Sequence, residues 1–154
     1  MTETYNYGPL AGLIGTWHGS NGMDKSPEKD GLDDKPYYET IVFDAIGDVE
    51  NAETQLITAL HYRQVVQRKS NDEVIHHETG YWMWDEATGA LMQGLAIPRG
   101  LSLLAGGKHN GDLEPDGSMR LEVQASSDDP DWHICQSPFM TQQAKTTAFS
   151  HRIS

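Results

Sequence analysis

From Tyr37 onward the chain alternates between apolar and polar residues, and short turns containing Gly, Pro or Asp interrupt the alternation. A period of two is the period of a strand, because successive side chains leave opposite faces of an extended backbone. The alternating runs are Tyr37–Ala45, Thr54–Lys69, Val74–Asp85, Ala90–Ile97, Leu101–His109, Met119–Ala125 and Lys145–Ser154. Leu60, Tyr62, Gln64 and Val66 share one face of the second run. Glu86-Ala87-Thr88-Gly89, Pro98-Arg99-Gly100 and Glu114-Pro115-Asp116-Gly117 read as turns between neighbours. Thr16–Asn21 adds an earlier strand, and Gly8–Ile14 suits one helical turn with Pro9 near its start. Gly22–Pro36 reads as an exposed polar loop, and Ser126–Gln143 as irregular. No repeat and no helix-length amphipathic segment is present. The pattern predicts an all-β, antiparallel up-and-down barrel of about eight strands, with edges removed by closure.

The 154 residues form one domain on this reading, long enough to bury a core without staples. The last run stops in mid-strand at Ser154. That leaves three expectations: a short barrel, a C-terminally incomplete one, or a homodimer completed across an open edge. A net charge of −12 argues against nucleic acid and anionic lipid as partners. No apolar run approaches ~18 residues, so no membrane span is expected. The single cysteine, Cys135, excludes an internal disulfide, and with no visible signal peptide a cytoplasmic, reducing location is expected.

Near the N-terminus stands Leu13-Ile14-Gly15-Thr16-Trp17-His18-Gly19. A Gly-x-Trp that ends a short apolar turn and opens a strand suits a small ligand-carrying barrel. Gly15 permits close approach of backbone to backbone. Trp17 is large enough to plug one end, or it simply closes a core.

Seven histidines form the pool for chemistry: His18, His61, His76, His77, His109, His133 and His151. His76 and His77 are strand neighbours and point to opposite faces, so they do not share one metal. Either one meets solvent while the other is a hydrogen-bonded cavity histidine, or one touches a bound cofactor. Tyr81 and Met83 share the face of His77, and Trp82 and Trp84 that of His76. Each face is explained by core packing, while Met and Tyr beside a histidine also suit a flat apolar cofactor. A zinc site has no supporting pattern, with one cysteine and no His-Glu-x-x-His. The loop from Ser26 breaks a calcium motif at Pro27 and ends it on Tyr37. Gly106-Gly107-Lys108-His109 lacks the rest of a phosphate loop, no Gly-x-Ser-x-Gly occurs, and Cys135 beside His133 reads as an inert thiol.

Leu10-Ala11-Gly12-Leu13-Ile14-Gly15-Thr16-Trp17-His18-Gly19 resembles the opening of nitrobindin-type proteins, small heme-binding barrels once described as fatty-acid-binding-protein-like. His77-Glu78-Thr79-Gly80-Tyr81-Trp82 looks like that family's histidine, x, (Glu), (Ser/Thr), Gly, Tyr, aromatic strand. Tyr38–Phe43 and Leu60–Gln64 are similar to the strands between the two motifs. The resemblance implies a lipocalin-like barrel of about ten strands. It also implies a b-type heme and chemistry on nitric oxide or peroxynitrite. His77 is the histidine it implies near the heme, and Tyr81, Met83, Ile97 and Tyr62 are the companion cofactor residues. Ile97 falls where some members place a polar cavity residue. The family's iron-ligating histidine lies beyond the strand matched to Thr146–Ile153, so the metal ligand is unassigned, and peroxynitrite isomerase activity is implied only where that histidine is present.

Three functions follow. One is a heme barrel with an axial imidazole and an open coordination position. The second is a non-enzymatic carrier of a fatty-acid-like or other small apolar molecule in the same cavity without metal. The third is a barrel that binds other proteins through its open edge.

Overall fold

The computed structural model describes residues 6–28, 31–51, 55–143 and 145–153. A 3-10 helix, Gly8–Leu13, precedes β1 (Gly15–Glu28), β2 (Gly31–Asn51), β3 (Gln55–Arg68) and β4 (Val74–Asp85). Then come β5 (Ala90–Ile97), β6 (Leu101–Lys108), β7 (Leu121–Ser126), β8 (Ile134–Gln136), a short α1 (Pro138–Gln143) and β9 (Ala148–Ile153). Among the described residues, nine strands form one sheet in the order β1-β2-β3-β4-β5-β6-β7-β9, with β8 also paired to β6. The strand pairings are antiparallel. The fold is all-β and barrel-like. The sheet curls until β9 faces β4 and β5 across the interior, but β1 and β9 stand at its two ends and do not pair with each other.

Gly22–Pro36 differs from expectation. Instead of an exposed loop it prolongs β1 and β2 into a two-stranded arm, in register from Gly22 against Tyr37 to Glu28 against Gly31. β3 pairs with β2 only from Tyr37 onward, so each arm strand keeps a free outer edge. A free edge tolerates Pro27 and Pro36, and a ladder of backbone groups needs no apolar pattern. The region 126–143, expected to be irregular, holds the three-residue β8 and the six-residue α1, both too short for a periodic signal.

Leu10, Leu60, Trp82, Leu91, Leu121 and Val123 are fully buried in one apolar cluster, each larger side chain contributing ~1.5–3 kcal/mol. Trp84, not Trp17, closes one end. The 3-10 helix lies over the Trp84 ring so closely at Gly8 that a Cβ would strike it, and the Trp84 indole N–H donates to the His109 carbonyl at 2.9 Å. Trp17 is 52% exposed, because β1 ends the sheet and has no neighbour on one side. Its indole N–H donates to the Leu13 carbonyl at 2.7 Å and ties the 3-10 helix to β1. Gly15 sits at φ +130° with open space where a Cβ would point, so its role is the backbone angle rather than the close approach expected.

Candidate functional site

A cavity of about 520 Å³ opens between β1 and β9 and runs into the curl of the sheet. Pro9, Leu13 and Trp17 wall it from the N-terminal segment, Ile41 and Phe43 from β2, and Trp82 from β4. Met119 and Leu121 approach from the β7 side, and His151 and Ile153 from β9. Tyr62 and Gln64 of β3 add polar atoms. The alternation of β2, β3 and β9 produces this lining, since every second residue of each strand faces inward.

A polar series runs behind the apolar wall. The His76 Nε2–H donates to Glu78 Oε1 at 3.1 Å. The Tyr62 hydroxyl donates to Glu78 Oε2 in a short, buried bond. The Gln93 amide donates to the Tyr62 oxygen at 2.8 Å, and His151 Nδ1 meets Gln93 Oε1 at 2.9 Å. Gln93 has no solvent exposure, so this order satisfies groups that would otherwise be costly to bury. The His151 ring also lies 5.5 Å from the Trp82 ring and 6.1 Å from that of Phe149, both tilted or edge-on.

The electrostatics follow from burial and neighbours. Burial pushes the Glu78 carboxyl up, but hydrogen bonds from His76 and Tyr62 outweigh it and hold the group below its ordinary value. Burial, then the Glu78 charge, pushes the Tyr62 hydroxyl well up, so it stays protonated and donates. Burial lowers His151, against a smaller upward pull from Glu78, and keeps its imidazole neutral at pH 7.

The sequence expectations for β4 are reversed. His76, Glu78, Gly80, Trp82 and Trp84 face inward, and His77, Thr79, Tyr81 and Met83 face outward. His77 is exposed and Tyr81 is 46% exposed, its ring 5.3 Å from that of His61 on the outer surface. Met83 is half-buried on the same outer face. The two tryptophans decide the phase: burying both removes more apolar surface from water than burying Tyr81 and Met83 would. Ile97, at the end of β5, packs against the core and is not part of the cavity wall. Of the expected cofactor residues, Tyr62 alone lines the cavity. Gln93 was not singled out from sequence, Glu78 entered only within the His77–Trp82 motif, and His151 only as one of the seven histidines. The signal for Glu78 was its spacing from His76, since two residues apart on a strand means one face. Gln93 and His151 meet across 58 positions, which no local pattern reports.

These residues suit heme. The cavity is within the ~300–1,000 Å³ of small-molecule sites, its walls are mostly apolar and aromatic, and a neutral imidazole stands in it. Among the described residues no group of three or more His, Cys, Asp or Glu is placed to hold a bare metal ion. No helix among them is long and apolar enough to cross a membrane. A search of curated proteins finds no match to the chain. Residues 6–154 do match a family described as the THAP4-like, heme-binding beta-barrel domain. With that match spanning the whole described fold and its cavity, the chain belongs to the THAP4-like family of heme-binding β-barrels.

Proposed function

We propose that the cavity between β1 and β9 holds a b-type heme and that the protein acts there on nitric oxide or peroxynitrite. The family match over residues 6–154 carries the heme reading, and the apolar cavity supports it. Leu13, Ile41 and Phe43 on one side, with Met119 and Leu121 on the other, bury the faces of a flat ring at ~25 cal/mol per Å² of apolar surface. Trp17 stands at the rim, part in solvent and part in the wall, and shields the entrance. Tyr62, Glu78 and Gln93 satisfy one another, so the wall presents few unpaired donors to an apolar ligand. Heme iron, when bound, supplies a coordination position for nitric oxide and a centre at which peroxynitrite rearranges to nitrate.

The test is hemin titration of the purified chain, followed by absorbance and tryptophan fluorescence. A saturable Soret band, quenched indole emission and a further Soret shift with nitric oxide are expected. Accelerated conversion of peroxynitrite to nitrate over free hemin is the activity readout. Absence of saturable hemin binding overturns the proposal. Tight uptake of a fluorescent fatty acid without hemin binding installs the carrier reading instead, which the same apolar walls support.

A further inference from the structure

We infer that the cavity selects an aromatic small molecule carrying one neutral hydrogen-bond donor, as a phenol or naphthol does, and that His151 Nε2 accepts from that donor; the inference rests on the cavity and its polar wall, not on heme. Glu78, a carboxylate, only accepts, so the Tyr62 hydroxyl donates to it. With that hydrogen directed away, the Tyr62 oxygen accepts from the Gln93 amide nitrogen at 2.8 Å, which turns Gln93 Oε1 toward β9. An amide oxygen only accepts, so His151 Nδ1 carries the proton shared between the two side chains. The imidazole is neutral, and its Nε2 is then an acceptor with no hydrogen of its own.

That acceptor opens on the cavity. Among the described residues Arg68 Nε is the only buried side-chain polar atom without a partner, so the unengaged Nε2 is not sealed in protein, and the ring that bears it lines the cavity. Other polar groups of the wall are already engaged: the Gln64 amide donates to Glu39 Oε2 at 2.9 Å, and the Ser118 hydroxyl to Asp116 Oδ1 at 2.6 Å. Among the described residues no Lys or Arg lines the cavity, while two carboxylates, Glu39 and Glu78, stand behind Gln64 and Tyr62. Negative charge behind an apolar wall, with no cation in it, repels a carboxylate and favours the positive end of an O–H dipole. Trp17, Phe43, Tyr62 and Trp82 supply aromatic walls for a flat body. A ligand of the same shape without a donor would leave Nε2 covered and unpaired, and that loss is the source of discrimination.

The experiment titrates the full chain, without hemin and at neutral pH, with naphthol, its methyl ether and naphthoate, read by calorimetry and by the ¹⁵N resonances of His151. Naphthol is expected to bind about tenfold more tightly than its ether, and naphthoate least tightly of the three. Bound naphthol is expected to move the Nε2 resonance and leave Nδ1 protonated. His151→Phe is expected to bring naphthol and its ether to the same affinity, and Gln93→Leu, which releases the tautomer, to narrow the gap between them. Far-UV circular dichroism and the denaturant midpoint report the fold of each variant; where one does not fold, the wild-type series and the Nε2 shift still decide. Displacement of bound naphthol by hemin is expected, since both fill one cavity. A chain that binds naphthol but no hemin loses the heme reading and keeps this inference; one that binds hemin but none of the three naphthalenes loses this inference alone. Equal affinity for naphthol and its ether, tighter binding of naphthoate, or a protonated Nε2 in the wild type overturns it as well.

Discussion

The two faces of β4 carry similar inventories and meet different ends. The inner face has a histidine, a glutamate and two tryptophans; the outer has a histidine, a threonine, a tyrosine and a methionine. Inside, His76 is half-buried on Glu78, which connects through Tyr62 and Gln93 to His151. Outside, the Thr79 hydroxyl meets His61 at 3.0 Å and donates to the Tyr62 carbonyl at 3.2 Å, the Tyr81 ring lies 5.3 Å from that of His61, and His77 is exposed. A histidine with polar and aromatic companions is thus a buried network on one side and a largely solvated surface on the other. What separates them is whether a partner strand stands opposite, and that is a property of the curled sheet rather than of β4.

The largest expected difference is in stability. Trp82→Ala should cost ~3–5 kcal/mol, because the ring is 1% exposed and packs at the heart of the core. Tyr81→Ala, one residue away, should cost well under 1 kcal/mol beyond the loss of an exposed ring contact. Denaturant unfolding of the two variants measures this, and equal costs would mean that the strand is turned the other way.

Next in size is the polar series. Tyr62→Phe keeps the ring against Phe43, whose centroid lies 5.9 Å away, but leaves the Gln93 amide and one Glu78 oxygen without their partner. A loss of ~1–3 kcal/mol is expected. Thr79→Val removes an outer-face hydroxyl of β4 that bonds His61 and the Tyr62 carbonyl at the solvent side, and should cost less, ~0.5–1.5 kcal/mol. A neutral Tyr62→Phe variant would show that the series is not satisfied in solution as drawn.

Acidification should sharpen the contrast more gently. The folded state holds both Glu78 and His151 below their ordinary values of 4.5 and 6.5. Below 6.5 the unfolded chain therefore binds more protons than the folded one, first at His151 and then, near and below 4.5, at Glu78. Stability from these groups is present at pH 7 and is lost as pH falls through those windows. Melting temperatures measured between pH 7 and pH 4 should fall less steeply in His151→Phe than in the wild type. A wild-type curve flat across this range would count against the burial of both groups.

The smallest effect expected is on the heme spectrum itself. His76→Ala should shift the Soret band of hemin-loaded protein slightly, acting through Glu78, and His77→Ala should not shift it. A larger shift from His77 would restore the outer face as the ligand side.

Much of this architecture was legible in the chain. β4 and β5 begin and end at the residues that alternation marks, and β3 turns Leu60, Tyr62, Gln64 and Val66 inward together. The β1–β2 arm was not legible, because its pairing uses backbone groups and its residues carry no apolar stripe. Nor was β8, at three residues. At the site, Tyr62 was found from sequence. The inward phase of β4 was available in principle from the size of Trp82 and Trp84 and from the spacing of His76 and Glu78.

By itself, the sequence determined that strands form, that they pair antiparallel through short turns, and that His76 and His77 part company. These are local consequences of a two-residue period and of turn chemistry, decided within a few bonds. Only the tertiary structure decided which histidine turned inward, that Trp84 rather than Trp17 closed an end, and that Gln93 met His151. Those outcomes depend on how much apolar surface the whole sheet hides and on which distant strand the curl brings opposite. Burial is summed over the fold, and a one-residue change of phase reverses it for every side chain at once.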